Sequence, residues 1–276
     1  MPSTLVRSSN PALTEKTFDQ YRVQPDPTAA GWAAPPTDPA TAAAPAHEPP
    51  PHTAVMTHAG VTSATAVLLV LLVGGAIVGW NSTTITATEV RIPGWTIIAI
   101  LASVGLAIGA IVKPLLARFL APLYALLQGA AVGAISAVYN ARYEGIVMQA
   151  IGLTIGVFAV MLFLYALRLI RVTEKLRMVV IGATGGIALM YLFCFIASMF
   201  GSNVSFLHDG STFAIGLSLF IVGVAAFNLL LDFDFVERGV AAGLDKRMEW
   251  FAAFGLLLTL VWLYLELLRL LGNLRR

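Results

Sequence analysis

Three carboxylates stand inside long apolar runs of this sequence. Asp232 and Asp234 fall in Leu229-Leu-Leu-Asp-Phe-Asp-Phe-Val-Glu237, and Glu266 falls in Trp262-Leu-Tyr-Leu-Glu-Leu-Leu-Arg269. An ionisable side chain at membrane depth costs several kcal/mol unless it is paired or hydrated, which makes each of these a functional candidate. The chemistry on offer is uptake and release of a proton or a cation. Plainer readings stand beside it. Asp232 and Asp234 can mark the cytoplasmic edge of a span and meet water there. Glu266 and Arg269, three apart on one helix face, can neutralise each other.

Other chemistry is not expected. There is no Gly-x-x-x-x-Gly-Lys phosphate loop, no His-Glu-x-x-His and no Gly-x-Ser-x-Gly. Three of the four histidines (His47, His52, His58) lie in or near the N-terminal stretch, and His208 stands beside Asp209. A single cysteine, Cys194, excludes an intramolecular disulfide or a Cys-based zinc site. The expectation is a protein that is not an enzyme and has neither cofactor nor metal centre.

The elements that must position the carboxylates are membrane spans. Of 276 residues, 58% are hydrophobic and 12% charged, about half the charge of an ordinary soluble domain at roughly 25%. The net charge of +2 gives no basic face for nucleic acid. The chain divides in two. Residues 1–56 hold 11 of the 14 prolines, too little apolar surface to offset chain entropy, and read as a disordered cytoplasmic tail. No apolar stretch follows Arg7 as a secretory signal would require. The segment Ser9 to Phe18 has the makings of a short helix with Pro11 in its first turn, against the simpler reading of a solvated tail. Three basic and five acidic residues in the tail make it too acidic for a polybasic lipid anchor.

Residues 57–276 read as a seven-helix transmembrane domain, since about 20 apolar residues cross a bilayer. The spans fall near 62–80, 94–112, 119–139, 146–168, 177–200, 212–233 and 249–271. Trp80, Trp95, Tyr139 and Trp250 lie near their ends, as interfacial aromatics do. Pro114 and Pro122 flank the second loop, where a helix start tolerates proline. With the N-terminus inside, 12 lysines and arginines face the cytoplasm and 5 face out. The positive-inside rule therefore predicts a cytoplasmic N-terminus and an outer C-terminus in the cell membrane. Three of the five outer residues sit at the very C-terminus, which leaves room for a re-entrant last segment. Five spans carry Gly-x-x-x-Gly (Gly75/Gly79, Gly105/Gly109, Gly129/Gly133, Gly152/Gly156, Gly182/Gly186), read as close helix packing within one bundle and not as dimerisation.

At this level of detail the sequence resembles the transmembrane Bax inhibitor motif family, in its long-tailed actinobacterial branch. The likeness rests on APLYALLQGAAVGAIS (Ala121–Ser136), the segment from Gly145 through IRVTEKLR (Ile170–Arg177), LLLDFDFVERG, the Trp262–Gly272 stretch and the Ser-Asn-Pro-Ala start. It implies an all-α bundle in which six helices surround the last. It also implies a link to pH-sensitive calcium leak or, in other bacterial relatives, to modulation of membrane proteolysis. The family's sensor is a pair of aspartates, late in the sixth helix and early in the seventh, that share a proton and titrate as a unit. Anchored on Leu267–Gly272, the second aspartate falls on Thr259, and the family's usual separation places the first on Asp234. Glu266 shares the Thr259 face but lies roughly 10 Å along the helix. Gln128 stands where the family pattern carries a glutamate. Two readings of function follow. One is a passive, pH-modulated cation leak with Asp234 at the inner gate, Asp232 and Glu237 beside it, and Lys113 or Arg118 as counter-charges. The other is a non-transporting factor that binds another membrane protein, such as a quality-control protease.

Overall fold

The computed structural model describes residues 54–86, 90–200 and 210–276. The expected disordered tail therefore lies, but for its last three residues, outside the described residues, as do His208 and Asp209. Seven helices follow in order: α1 (His58–Ser82), α2 (Trp95–Val112), α3 (Ala117–Arg142), α4 (Ile146–Ala166), α5 (Glu174–Met199), α6 (Thr212–Ala241) and α7 (Met248–Leu274). All seven are long and apolar enough to span a membrane. A two-residue hairpin, β1 (Thr84–Ile85) with β2 (Val90–Arg91), joins α1 to α2.

Side-chain caps set several of the starts. Thr57 accepts from the Gly60 amide (3.0 Å), Thr173 from Leu176 (3.2 Å) and Ser211 from Ala214 (3.1 Å), each satisfying an amide that the first turn leaves free. Proline acts differently in two places. Pro114 opens a short 3-10 turn ahead of α3 as expected, whereas Pro122 lies inside α3. Its ring leaves the Arg118 carbonyl without an intrahelical donor. The sixth helix also runs further than hydropathy suggested, to Ala241, so Asp232, Asp234 and Glu237 are inside it. The last segment is one unbroken helix of 27 residues, about 40 Å long, and not a re-entrant turn.

Burial ranks the helices. In the most apolar window of α7, 67% of residues are buried, against 17–22% in α1, α2, α4 and α5. Helix α7 is thus the central one. Helices α1, α3, α4 and α6 pack along it, while α2 leans on α3 and α5 leans on α6. Aromatic rings cross the main seams edge to face, Tyr124 on Phe254 and Phe235 on Phe251.

Glycine governs one of these seams. A Cβ at Gly75 would lie 2.2 Å from the Leu126 carbonyl oxygen, and at Gly79 1.9 Å from that of Ala130. Across the seam, Gly129 and Gly133 meet Leu72 and Ala76 in the same way. Two of the five Gly-x-x-x-Gly pairs therefore bring α1 and α3 into backbone contact. The other three do not pack as expected. Gly105, Gly152, Gly156, Gly182 and Gly186 meet nothing within 4 Å, and Gly109 meets only a Leu120 methyl.

The segment just before α1 is docked and not solvated. Met56 is fully buried, its amide donates to the Leu244 carbonyl (2.7 Å), and Lys246 donates to Ala54 (2.9 Å). The Thr57 amide and hydroxyl both donate to Glu249 (3.0 and 2.9 Å). Residues 54–57 thus belong with the helical bundle, because this short strand-like stretch clamps the turn between α6 and α7.

Candidate functional site

Polar side chains gather at three levels along α7. At the level of the α6 C-terminus, Asp234 is held between two guanidinium groups. Arg177 of α5 donates to it at 2.8 Å, and Arg238, one turn on, forms an ion pair with it. Arg177 reaches Glu174 as well (3.0 Å) and is itself buried. The Tyr165 hydroxyl donates to the neighbouring Glu237, which also faces Arg168 at 3.9 Å. The counter-charges of Asp234 are therefore Arg177 and Arg238, not Lys113 or Arg118. Those two are exposed at the α2–α3 turn, where Arg118 lies over the Phe119 ring.

About half a turn deeper stands Asp232. Residues two apart on a helix differ by about 200°, so Asp232 and Asp234 face nearly opposite ways. Asp232, not Asp234, turns to the central helix. Its side chain is in hydrogen-bonding reach of Thr259, and its Oδ1 is 3.7 Å from where a Cβ on Gly255 would sit. Its Oδ2 is out of contact with solvent and has no hydrogen-bond partner among the described residues. Thr259 donates to the Gly255 carbonyl at 3.3 Å. A hydroxyl carries one proton and two lone pairs. With that proton on Gly255, the Thr259 oxygen accepts from a protonated Asp232; turned the other way, it donates to an ionised one.

Towards the far end of α7, Glu266 and Arg269 form a buried ion pair on one face. Tyr191 of α5 bridges them, its hydroxyl donating to Glu266 and accepting from Arg269, and the Trp262 indole donates to Glu266 at 3.3 Å. Mutual neutralisation, the plainer of the two readings, describes Glu266. The expected glutamate position, Gln128, is engaged with Ser103 of α2 at 2.8 Å. Among the described residues, no three His, Cys, Asp or Glu side chains converge as a metal centre would require.

The family description "Bax inhibitor 1 like" matches residues 10–276. The chain belongs to the Bax inhibitor 1 like family. No curated protein and no solved structure matches it. Membership and seven spanning helices make it a multi-pass membrane protein. In this Bax inhibitor 1 like chain, the sequence points to Asp232, Asp234, Thr259 and Glu266 as candidates. It does not point to the groups that hold them. In sequence Arg177 and Arg238 are simply two of the 12 basic residues on the inner side, and Tyr191 is indistinguishable from any aromatic residue in a span. Glu249, buried against Thr57, is marked in the sequence by its place as a carboxylate in the first turn of an apolar helix.

Proposed function

We propose that this protein is a passive cation leak modulated by protons, with calcium as the ion to test, and that it carries out no chemical conversion. The observation that supports this reading is the Asp232 carboxylate. It lies against the central helix with one oxygen unpartnered and only a hydroxyl for company. An unpaired carboxylate in such a place is costly. A cation or a proton relieves that cost, and the two compete for one group. A single carboxylate with a hydroxyl holds a cation briefly, which suits passage and not storage. At the charged end, Asp234 is already neutralised by Arg177 and Arg238 and closes the α5–α6 seam above Asp232. In this reading Asp232 is the ion-contacting carboxylate, and the Asp234 cluster is the inner lock. The test is calcium entry into liposomes loaded with a calcium dye. Flux above empty liposomes that falls in Asp232→Asn supports the reading. Wild-type flux equal to that of empty liposomes rejects it and leaves the binding of another membrane protein as the role to examine.

A further inference from the structure

Residues of α1 and α4 border a cleft of about 640 Å³ at the charged end of the bundle. Val61 and Leu69 of α1 face Phe158 and Leu162 of α4, and Phe233 and Leu256 close the back. The cleft runs along α1 from His58 to Leu69, which is about 16 Å of helix. That is close to the roughly 15 Å of hydrocarbon in one leaflet. Its apolar length ends in a polar mouth formed by His58, Thr62, Tyr165, Arg168 and Glu237. A second hollow of about 390 Å³ adjoins the mouth and adds Arg171 together with Asp234, whose charge Arg177 and Arg238 already offset.

Arg168 lines both spaces, and two features make it more than a loop charge. Its backbone is left-handed (φ 54°), the only such non-glycine residue among those described, in a region that side-chain-bearing residues seldom occupy. Strain of that kind is a pointer to function. Its side chain is also 78% exposed and meets Glu237 only at 3.9 Å, which leaves most of its donors unused. A planar fork of donors matches a phosphate.

We infer that the α1–α4 cleft is a binding site for one anionic phospholipid of the charged-end leaflet. An acyl chain lies between Val61 and Leu162, and the phosphate rests on Arg168 and Arg171. The assignment rests on the cleft and its two arginines, so it stands whether or not the protein conducts.

The test uses the full chain in mixed phosphatidylethanolamine and phosphatidylglycerol vesicles. Lipid retained after detergent extraction is read by native mass spectrometry. Phosphatidylglycerol should be enriched over its share in the vesicle. Each lost arginine should lower that enrichment about fivefold, from the roughly 1 kcal/mol that one basic residue contributes at an anionic surface. Arg168→Gly removes the charge and suits the left-handed backbone, so the fold is not at risk; Arg168→Lys keeps the charge but loses the planar fork, and should lower the enrichment by less than Arg168→Gly does. A photo-reactive residue at position 162 should cross-link to lipid. Retained lipid that matches the vesicle composition, or enrichment unchanged in Arg168→Gly with Arg171→Gln, would overturn the assignment. So would a cross-link from position 162 to a peptide of residues 1–53 or to a second copy of the chain.

Discussion

Rotation about a helix axis separates the roles of Asp232 and Asp234. One side faces α5, where Arg177 waits; the other faces α7, where Thr259 does. Replacing Thr259→Asp would set a second carboxylate against Asp232, and two adjacent carboxylates cannot both ionise easily. We expect calcium flux in liposomes to depend more steeply on pH between about 6 and 8 in Thr259→Asp than in wild type, where a single carboxylate acts. Asp232→Asn should lose about tenfold or more of the flux, given the strength of a unit charge on a nearby ion in a low-dielectric setting. Flux unchanged in Asp232→Asn but lost in Asp234→Asn would return the ion-contacting role to Asp234. The pair Glu266–Arg269 calls for a stability measurement. Arg269→Met strands a buried carboxylate and should cost about 3–5 kcal/mol, while removing both charges together should cost far less. Thermal unfolding in detergent of the single and double variants distinguishes the two. The sequence showed which residues were unusual, since a carboxylate among leucines is visible without coordinates. It did not show which way each points, because a difference of two residues in the spacing from α6 to α7 turns a side chain to the other face.

Helices as units were far more legible than their pairings. Hydropathy sums over some 20 residues, so seven spans emerge despite local noise, and their ends were placed within a few residues except where polar side chains continue a helix. Helix α6 is the clear case: Asp232, Asp234 and Arg238 lower its hydropathy, yet the Asp234–Arg238 ion pair and the Arg177 contact keep it helical to Ala241. Gly-x-x-x-Gly illustrates the opposite limit. All five pairs look alike in sequence, but only those of α1 and α3 face each other. Gly79→Ala or Gly133→Ala would drive a methyl into a backbone carbonyl and should cost about 1–3 kcal/mol. Gly182→Ala meets open space and should be neutral or stabilising by up to about 1 kcal/mol. Melting temperatures in detergent check both; an equal loss at all three positions would contradict the α1–α3 seam. The stretch just before α1 gives a second comparison. Deleting residues 1–50 should leave a monodisperse bundle, whereas deleting residues 1–57 should not. The second deletion removes Met56 from the core and leaves buried Glu249 without Thr57.

For the molecule as a whole, the remaining question is its direction in the membrane, and the packing bears on the charge count that predicts it. Among the described residues, the turns α2–α3, α4–α5 and α6–α7 share one end and carry Lys113, Arg118, Arg168, Arg171, Lys175, Arg177, Arg238, Lys246 and Arg247. The opposite end has Arg91, Arg142, Arg275 and Arg276. Arg269, counted with them from sequence, is buried beside Glu266 and belongs to neither surface. Arg275 is further occupied by the Glu144 carbonyl and Gln149. Since the positive-inside rule concerns basic residues close to the span ends, and Arg177 is buried against Asp234 and Glu174 in the same way, eight basic residues at one end stand against four at the other. We therefore expect the end bearing Thr57, Arg168 and Lys246 to face the cytoplasm and the C-terminus to lie outside. The check is labelling in intact cells, with the buried Cys194 first changed to alanine. A cysteine introduced at Thr41 should resist an impermeant thiol reagent and react only after the membrane is opened. One at Ser205 should react from outside at once. Labelling at position 41 in intact cells would invert the topology. The lock of Arg177, Asp234 and Arg238 would then face outward, and proton control of any leak would come from the exterior.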